Sequence, residues 1–171
     1  MLRLAKAFLD IALWRKTPAH LPASLFLLAL TACAAGLMEV LGAYLTPGPQ
    51  DRMVARVALE VGLPLAFTWA VLAMGRRRAR FLQTATALLG VGVLAEIVLY
   101  PLGALRSAMG DGRMASIPLG LLLLVGFIWY LLACAHIWRA ALDSGVALGG
   151  VISVGYLILT IALEQQLLPQ T

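Results

Sequence analysis

Residues 117–138, IPLGLLLLVGFIWYLLACAHIW, decide the fold class, because this stretch contains no Asp, Glu, Lys or Arg. At 1.5 Å per residue, a helix of about 22 residues is roughly 33 Å long, and the hydrocarbon core of a bilayer is roughly 30 Å thick. Four other apolar stretches have a comparable length, namely residues 22–45, 54–74, 81–103 and 145–168. The sequence therefore predicts an all-α, polytopic membrane bundle, in which residues 21–171 form one domain with about five transmembrane helices.

The overall composition excludes a soluble globular domain. Hydrophobic residues make up 62% of the 171 residues, only 12% of the residues are charged, and the mean hydropathy is +0.94. Water cannot solvate a domain with this balance of residues. The net charge of +5 is therefore interpreted through its distribution along the spans, and no nucleic-acid partner is expected.

The cationic residues predict the orientation of the chain. With a cytoplasmic N-terminus, the inner segments hold nine cations, namely Arg3, Lys6, Arg15, Lys16, Arg76, Arg77, Arg78, Arg80 and Arg139. The outer segments then hold four, namely Arg52, Arg56, Arg106 and Arg113. This bias satisfies the positive-inside rule and puts the C-terminus in the periplasm. Many arginines beside only two lysines are typical of a GC-rich bacterium, so the expected location is a bacterial inner membrane.

The basic run GRRRAR, residues 75–80, lies between the second and third spans. A short basic loop at this position anchors the topology without any partner, and this is the favoured interpretation of Arg76, Arg77, Arg78 and Arg80. The same side chains also suit the headgroups of anionic lipids, so an anionic-lipid contact stays open as an alternative.

The first 20 residues predict a cytoplasmic, amphipathic helix that lies in the membrane interface. One face of this helix is apolar, with Ala5, Phe8, Leu9, Ala12 and Leu13. Arg3, Lys6 and Asp10 fall on another face. On the outer side, the prolines of residues 46–51 and the glycines of residues 106–116 predict two irregular connections.

Four of the five spans carry one carboxylate each, and all four lie toward the outer side. These acids are Glu39, Glu60, Glu96 and Glu164. Counting along the helices puts them within a layer about 5 Å thick. A charged group at mid-bilayer costs about 2.5 to 3.5 kcal/mol on insertion scales, so each acid requires some compensation.

Two interpretations of this acidic layer remain open. In the first, the carboxylates form a polar cluster that binds a proton, a cation or a basic ligand from outside. In the second, they pair with the outer arginines, chiefly Arg52 and Arg56, and Arg56 lies one turn from Glu60 on the same helix.

Other chemistry has little support in the sequence. Cys33 and Cys134 lie in different spans without CxxC spacing, and nothing brings His20 and His136 together. Motifs such as HExxH and GxSxG are absent from the sequence. We therefore expect neither an enzyme nor a bound metal or cofactor.

Residues 80–90, RFLQTATALLG, are followed by an apolar run and Pro101. This pattern resembles small proteobacterial membrane proteins that are grouped with the Yip family. The resemblance implies about five spans, a cytoplasmic N-terminus and a short C-terminus on the far side. Eukaryotic members of that family associate with Rab GTPases and organise membranes, but this chain has no long N-terminal domain ahead of its first span.

The sequence therefore predicts an integral membrane scaffold or partner-binding protein of the Yip-like type, acting with other membrane proteins or as a homo-oligomer. The alternative is a small proton or cation channel or transporter that uses the layer of carboxylates.

Overall fold

The computed structural model describes residues 2–45, 52–109 and 116–167, and all regular structure in these ranges is helical. Six α-helices follow one another, α1 Leu2–Ala12, α2 Leu25–Leu45, α3 Met53–Met74, α4 Phe81–Met109, α5 Ser116–Leu142 and α6 Val146–Leu167. Two short 3₁₀ helices, Pro18–His20 and Arg78–Arg80, precede α2 and α4. Helices α2 to α6 are long and apolar enough to cross a bilayer. The predicted all-α, multi-pass membrane bundle is confirmed.

Three helix ends differ from the predicted spans by three or more residues, and one of them is the end of α5, which lies at Leu142 instead of Trp138. Helix α4 continues through Pro101 to Met109, so the expectation that an irregular connection begins at Arg106 was wrong. Membrane helices tolerate an internal proline because neighbouring groups can satisfy the carbonyl that it leaves free. Helix α2 begins at Leu25, where the Ser24 hydroxyl accepts a hydrogen bond from the Leu27 N–H at 3.4 Å. The predicted connection at residues 46–51, and residues 110–115 of the other connection, lie outside the described residues.

Helix α4 is the centre of the bundle and packs against α1, α2, α3 and α5, while α6 packs against α5. We call the end that carries Arg76 to Arg80 the basic end. Small residues allow close approaches between helices: a side chain at Gly149 of α6 would overlap the backbone of Ala135 in α5. Large apolar side chains cover the outside of α5 and α6, as expected where helices face lipid.

Helix α1 packs against the side of the bundle, and the predicted apolar face of this helix was partly wrong. Phe8, Ile11 and Ala12 are buried against α4 and α5, but Ala5, Leu9 and Leu13 of the predicted face are exposed. The Phe8 ring occupies the space beside Gly90, which lies about 14 Å along α4 from its first residue. Contact with the bundle, more than amphipathic spacing, therefore determines which face of α1 is buried.

The segment after α1 is tied to α5 at the basic end. The Trp14 ring stacks on the His136 ring with centroids 5.3 Å apart, and His136 Nε2 lies 3.0 Å from the carbonyl oxygen of Lys16. Trp14 adopts a positive φ of 63°, which turns the chain at this point. The Lys16 ammonium group also pairs with Asp10 at 3.0 Å and lowers the pKa of that carboxyl group.

Candidate functional site: a carboxyl pair beside an aromatic cavity

Two of the four glutamates contact each other near the middle of the bundle. Glu60 of α3 and Glu96 of α4 lie close enough for their side chains to interact, and both line the same cavity. An ionised carboxylate can only accept hydrogen bonds, so two carboxyl groups form a hydrogen bond with each other only when one of them holds a proton. Within the described residues, the buried Oε2 of Glu96 has no hydrogen-bond partner.

The carboxyl pair lines a cavity of about 210 Å³ between α3, α4, α5 and α6. Pro64, Tyr130 and Tyr156 also line it, and each lies close to the midpoint of its helix. The cavity is therefore at mid-depth in the bundle. Its remaining lining is mostly apolar, and the hydroxyl groups of Thr68, Ser153 and Thr160 are the exceptions together with the tyrosines.

Aromatic rings close the cavity on the side of the basic end. The Phe67 ring stands edge-on to Trp138, with centroids 5.8 Å apart and an interplanar angle of 80°. It also contacts Tyr156 at 5.2 Å with an angle of 57°. Phe127 and Tyr130 complete the aromatic lining. Phe67 thus packs against both Trp138 and Tyr156, and the three rings form one aromatic wall of the cavity.

Thr68 is an unusual member of this lining because it is fully buried and its hydroxyl has no partner among the described residues. A threonine hydroxyl in a helix can bond a carbonyl oxygen one turn earlier, as Thr31 does with Leu27 at 3.1 Å. Buried polar groups are nearly always hydrogen-bonded, so an unpaired hydroxyl beside a cavity indicates a site for a further group.

Glu39 lies apart from the carboxyl pair and has its own partners. Its Oε2 accepts a hydrogen bond from the Tyr100 hydroxyl at 2.9 Å, and its Oε1 lies 3.9 Å from Arg56 Nε. The Tyr100 ring fits against Gly42, where a side chain would overlap it. Arg56 therefore pairs across to α2, and the described residues show no ion pair between Arg56 and Glu60.

Arg52 and Glu164, the other predicted members of the acidic layer, lie outside the cavity. Arg52 Nη1 donates a hydrogen bond to the carbonyl oxygen of Leu167 at 3.0 Å, at the last described turn of α6. Glu164 is one turn earlier in α6 and is exposed. Arg52 thus bonds a helix C-terminus instead of a carboxylate, which suits the negative end of the helix dipole.

The basic run divides into residues with different contacts. Arg77 and Arg80 pair with Asp143 at 2.7 and 2.9 Å, and Arg80 also donates to the carbonyl oxygens of Ala140 and Ala141, each at 3.0 Å. Arg78 lies over the Trp69 ring at 5.4 Å from its centroid. Arg76 is exposed. Arg77 and Arg80 therefore hold the turn between α5 and α6, in addition to any contact with lipid.

The aromatic cavity was not predicted from the sequence, although two signals in the sequence point to it. Tyr130 and Tyr156 lie in the middle of their spans, whereas membrane tyrosines concentrate at the interfaces. On α3, Glu60, Pro64 and Thr68 recur every four residues, which puts them on one face of the helix.

Comparisons with family models, with curated proteins and with solved structures find no match to this chain. Within the described residues, no group of three or more His, Cys, Asp and Glu side chains is arranged to hold a metal ion. The candidate site therefore rests on the geometry of its own residues.

Proposed function

We propose that this protein is a small membrane transporter that exchanges a cation for a proton at the Glu60–Glu96 pair. The observation that carries the proposal is the position of two neighbouring carboxyl groups on the wall of a cavity halfway through the bundle. The pair holds one proton where an isolated charge would be costly. A cation that enters the cavity competes with that proton for the same oxygens.

The exchange can be written so that charge balances. In the resting pair, one carboxyl group is protonated and the other is ionised, so the pair carries one negative charge. When a monovalent cation binds, the O–H bond breaks, its electron pair stays on the carboxylate oxygen, and the proton leaves to water. The two carboxylates and the cation then carry one negative charge together, so the net charge of the site is conserved.

The surroundings of the pair support this competition. No arginine forms an ion pair with Glu60 or Glu96 among the residues that the structure describes, because Arg56 contacts Glu39. The other ionisable side chains near the pair are the acids Glu39 and Glu164, of which Glu164 acts on Glu60 from outside the cavity, and the hydroxyls of Tyr100, Tyr130 and Tyr156. The pair is therefore left to bind a cation that is not part of the chain.

Proton movement in liposomes tests the proposal. Purified protein is reconstituted in vesicles that contain a pH-sensitive dye, and Na⁺, K⁺ or choline is added outside. We expect at least one of these cations to drive proton efflux through the wild type, and Glu60→Gln and Glu96→Gln to abolish that efflux. Glu164→Gln is the matched control, because Glu164 is exposed and outside the cavity, and it should keep wild-type efflux. Folded Gln variants with wild-type efflux would refute the exchange.

We further propose a bacterial inner membrane as the location, with a cytoplasmic N-terminus and a periplasmic C-terminus. The support is the bias of nine inner to four outer cations. In this orientation the basic end faces the cytoplasm, where anionic lipids are available to the exposed Arg76.

The Yip-like scaffold is the second candidate function, and open glycines on the outside of the bundle favour it. A side chain built at Gly62 of α3, or at Gly150 or Gly155 of α6, would meet nothing within 4 Å. Small residues on an outer face let another helix approach closely in lipid. Native mass spectrometry in mild detergent tests this: a dimer or a retained partner that Gly155→Leu removes would support the scaffold, and a monomer would count against it.

A further inference from the structure

We propose that the cavity binds a small organic ammonium ion with a hydroxyl group, an amino alcohol similar in size to choline. This inference rests on the proposed cation exchange and names the class of its substrate. It draws on the volume of the cavity, its carbon-rich wall, its rings and the unpaired Thr68 hydroxyl.

The volume of the cavity limits the size of the ligand. Pockets for drug-sized ligands have volumes of about 300 to 1,000 Å³, so a cavity of about 210 Å³ takes a smaller molecule. An engineered apolar cavity of about 150 Å³ in another protein binds benzene, which has six carbon atoms. A ligand of similar or slightly larger size therefore fits this cavity, whereas a bare metal ion leaves most of it empty.

The chemistry of the wall also disfavours a metal ion. Hard cations such as Ca²⁺ take six to eight oxygen ligands. Here the carboxyl pair supplies oxygens on one side only, and carbon atoms dominate the rest of the lining. An ammonium ion with carbon substituents loses less hydration on entry, and its substituents contact the apolar wall.

The aromatic rings suit such a cation directly. A cation over the face of Trp, Tyr or Phe is attracted by the quadrupole of the ring, and cages of several rings bind quaternary ammonium groups. Phe67, Trp138 and Tyr156 stand at different angles to one another at one end of the cavity. Because Phe67 packs against the other two, the rings form one wall on which a rounded, charged group can rest while the carboxyl pair neutralises it from the other side.

The hydroxyl of Thr68 indicates the polar group on the ligand. Thr68 is fully buried, lines the cavity and has an Oγ1 without a partner among the described residues. It lies two turns from Glu60, about 12 Å along α3. A ligand that has its charge near the carboxyl pair and a hydroxyl toward Thr68 would satisfy both groups.

Calorimetry on the full chain in detergent, with a pH dye in weak buffer, tests the inference. We expect choline to bind the protein, and this binding to release protons from the carboxyl pair. The choline concentration that is needed should be at least tenfold below that of Na⁺ or K⁺. Tyr156→Leu should weaken choline binding about tenfold through the lost ring, while Tyr156→Phe should keep it. Tyr44→Leu, the same change at an exposed position of α2, is the control and should have no effect on choline binding.

The hydroxyl of Thr68 is tested separately. We expect the wild type to prefer choline over tetramethylammonium about fivefold, and Thr68→Val to remove this preference.

The possible results distinguish a failure of the organic-cation substrate from a failure of the proton exchange on which it rests. Proton release by K⁺ or Na⁺ at the same concentrations as choline would overturn the organic substrate and leave the exchange standing. Unchanged choline affinity in a folded Tyr156→Leu variant would also overturn it. Choline binding without proton release, unaffected by Glu96→Gln, would refute the exchange itself.

Discussion

At the scale of single residues, the four intramembrane glutamates differ in their partners. Glu39 has a tyrosine hydroxyl and an arginine, Glu60 and Glu96 have each other, and Glu164 is exposed. A carboxylate with donors from the protein is a structural group, because its negative charge is compensated inside the fold. We propose that the carboxyl pair can exchange a proton, so that structural pairing applies to Glu39 and ion binding to Glu60 and Glu96.

Replacing Glu39 by Gln tests the structural half of this division. The change leaves Arg56 without a carboxylate and weakens the hydrogen bond from Tyr100, so we expect a loss of about 1 to 2 kcal/mol of stability. Thermal unfolding in detergent measures it, with Glu164→Gln as the control that should unfold like the wild type. Cation-driven proton efflux should persist in Glu39→Gln. An unchanged unfolding temperature of Glu39→Gln would show that the 3.9 Å contact between Glu39 and Arg56 contributes little to stability.

At the scale of the elements, the ends of the helices are fixed by specific contacts at the basic end. Helix α1 docks by inserting Phe8 beside Gly90, and the turn between α5 and α6 is held by Arg77 and Arg80 through Asp143. Asp143 has a positive φ of 51°, so this turn adopts a backbone conformation that its ion pairs help to maintain.

The docking of α1 is tested by Phe8→Ala. Removing a buried phenylalanine ring typically costs about 3 to 5 kcal/mol, so we expect a clear drop in the melting temperature in detergent. We also expect faster cleavage by added protease near Trp14. Leu9→Ala is the matched control, since Leu9 is 46% exposed, and it should change neither quantity. Equal effects of the two variants would contradict the packing of Phe8 against α4.

The turn at Asp143 predicts a dependence of stability on pH. The hydrogen bond from Arg80, with the charge of Arg77, holds the pKa of Asp143 below its ordinary value of 3.8. Because the carboxyl group binds a proton more readily in the unfolded chain, the stabilisation is complete above about pH 4 and is lost as the pH falls through the lowered pKa.

Asp143→Asn should therefore melt at a lower temperature than the wild type at pH 7, and the difference should shrink below about pH 3. Melting curves in detergent across this range measure the effect. Arg76→Gln, at an exposed neighbour, serves as the control and should have little influence. A difference between Asp143→Asn and wild type that stays constant from pH 7 to pH 3 would contradict the ion pairs.

At the scale of the whole molecule, five helices can cross the membrane, and four of them, α3 to α6, line a cavity at mid-depth that carries the carboxyl pair, while the outer surfaces of the helices are largely apolar. An odd number of spans puts the two ends of the chain on opposite sides of the membrane. The cation bias then predicts a periplasmic C-terminus. A reporter that fluoresces only in the cytoplasm should be dark when fused to Thr171 and bright when fused to Met1. A bright fusion at Thr171 would contradict the five-span orientation.

The sequence by itself determined the helices, because span length and the absence of charge are local properties that the thickness of the bilayer selects. It also determined that four spans carry a carboxylate at a similar height, since height follows from counting residues along a helix. It left open how each helix is rotated about its axis: the spans are apolar on almost every face, so no strong amphipathic pattern fixes the side that packs inward.

The tertiary structure decided those rotations, and with them the site. Packing around α4 turns Glu60 toward Glu96, sends Arg56 to Glu39, and brings Tyr130 and Tyr156 to one cavity from separate helices. The same packing selected Ile11 over Leu9 for the buried face of α1. Contacts between helices depend on the close fit of small residues such as Gly90 and Gly149 to particular neighbours. Because that fit is a property of two surfaces together, it cannot be read from either helix alone.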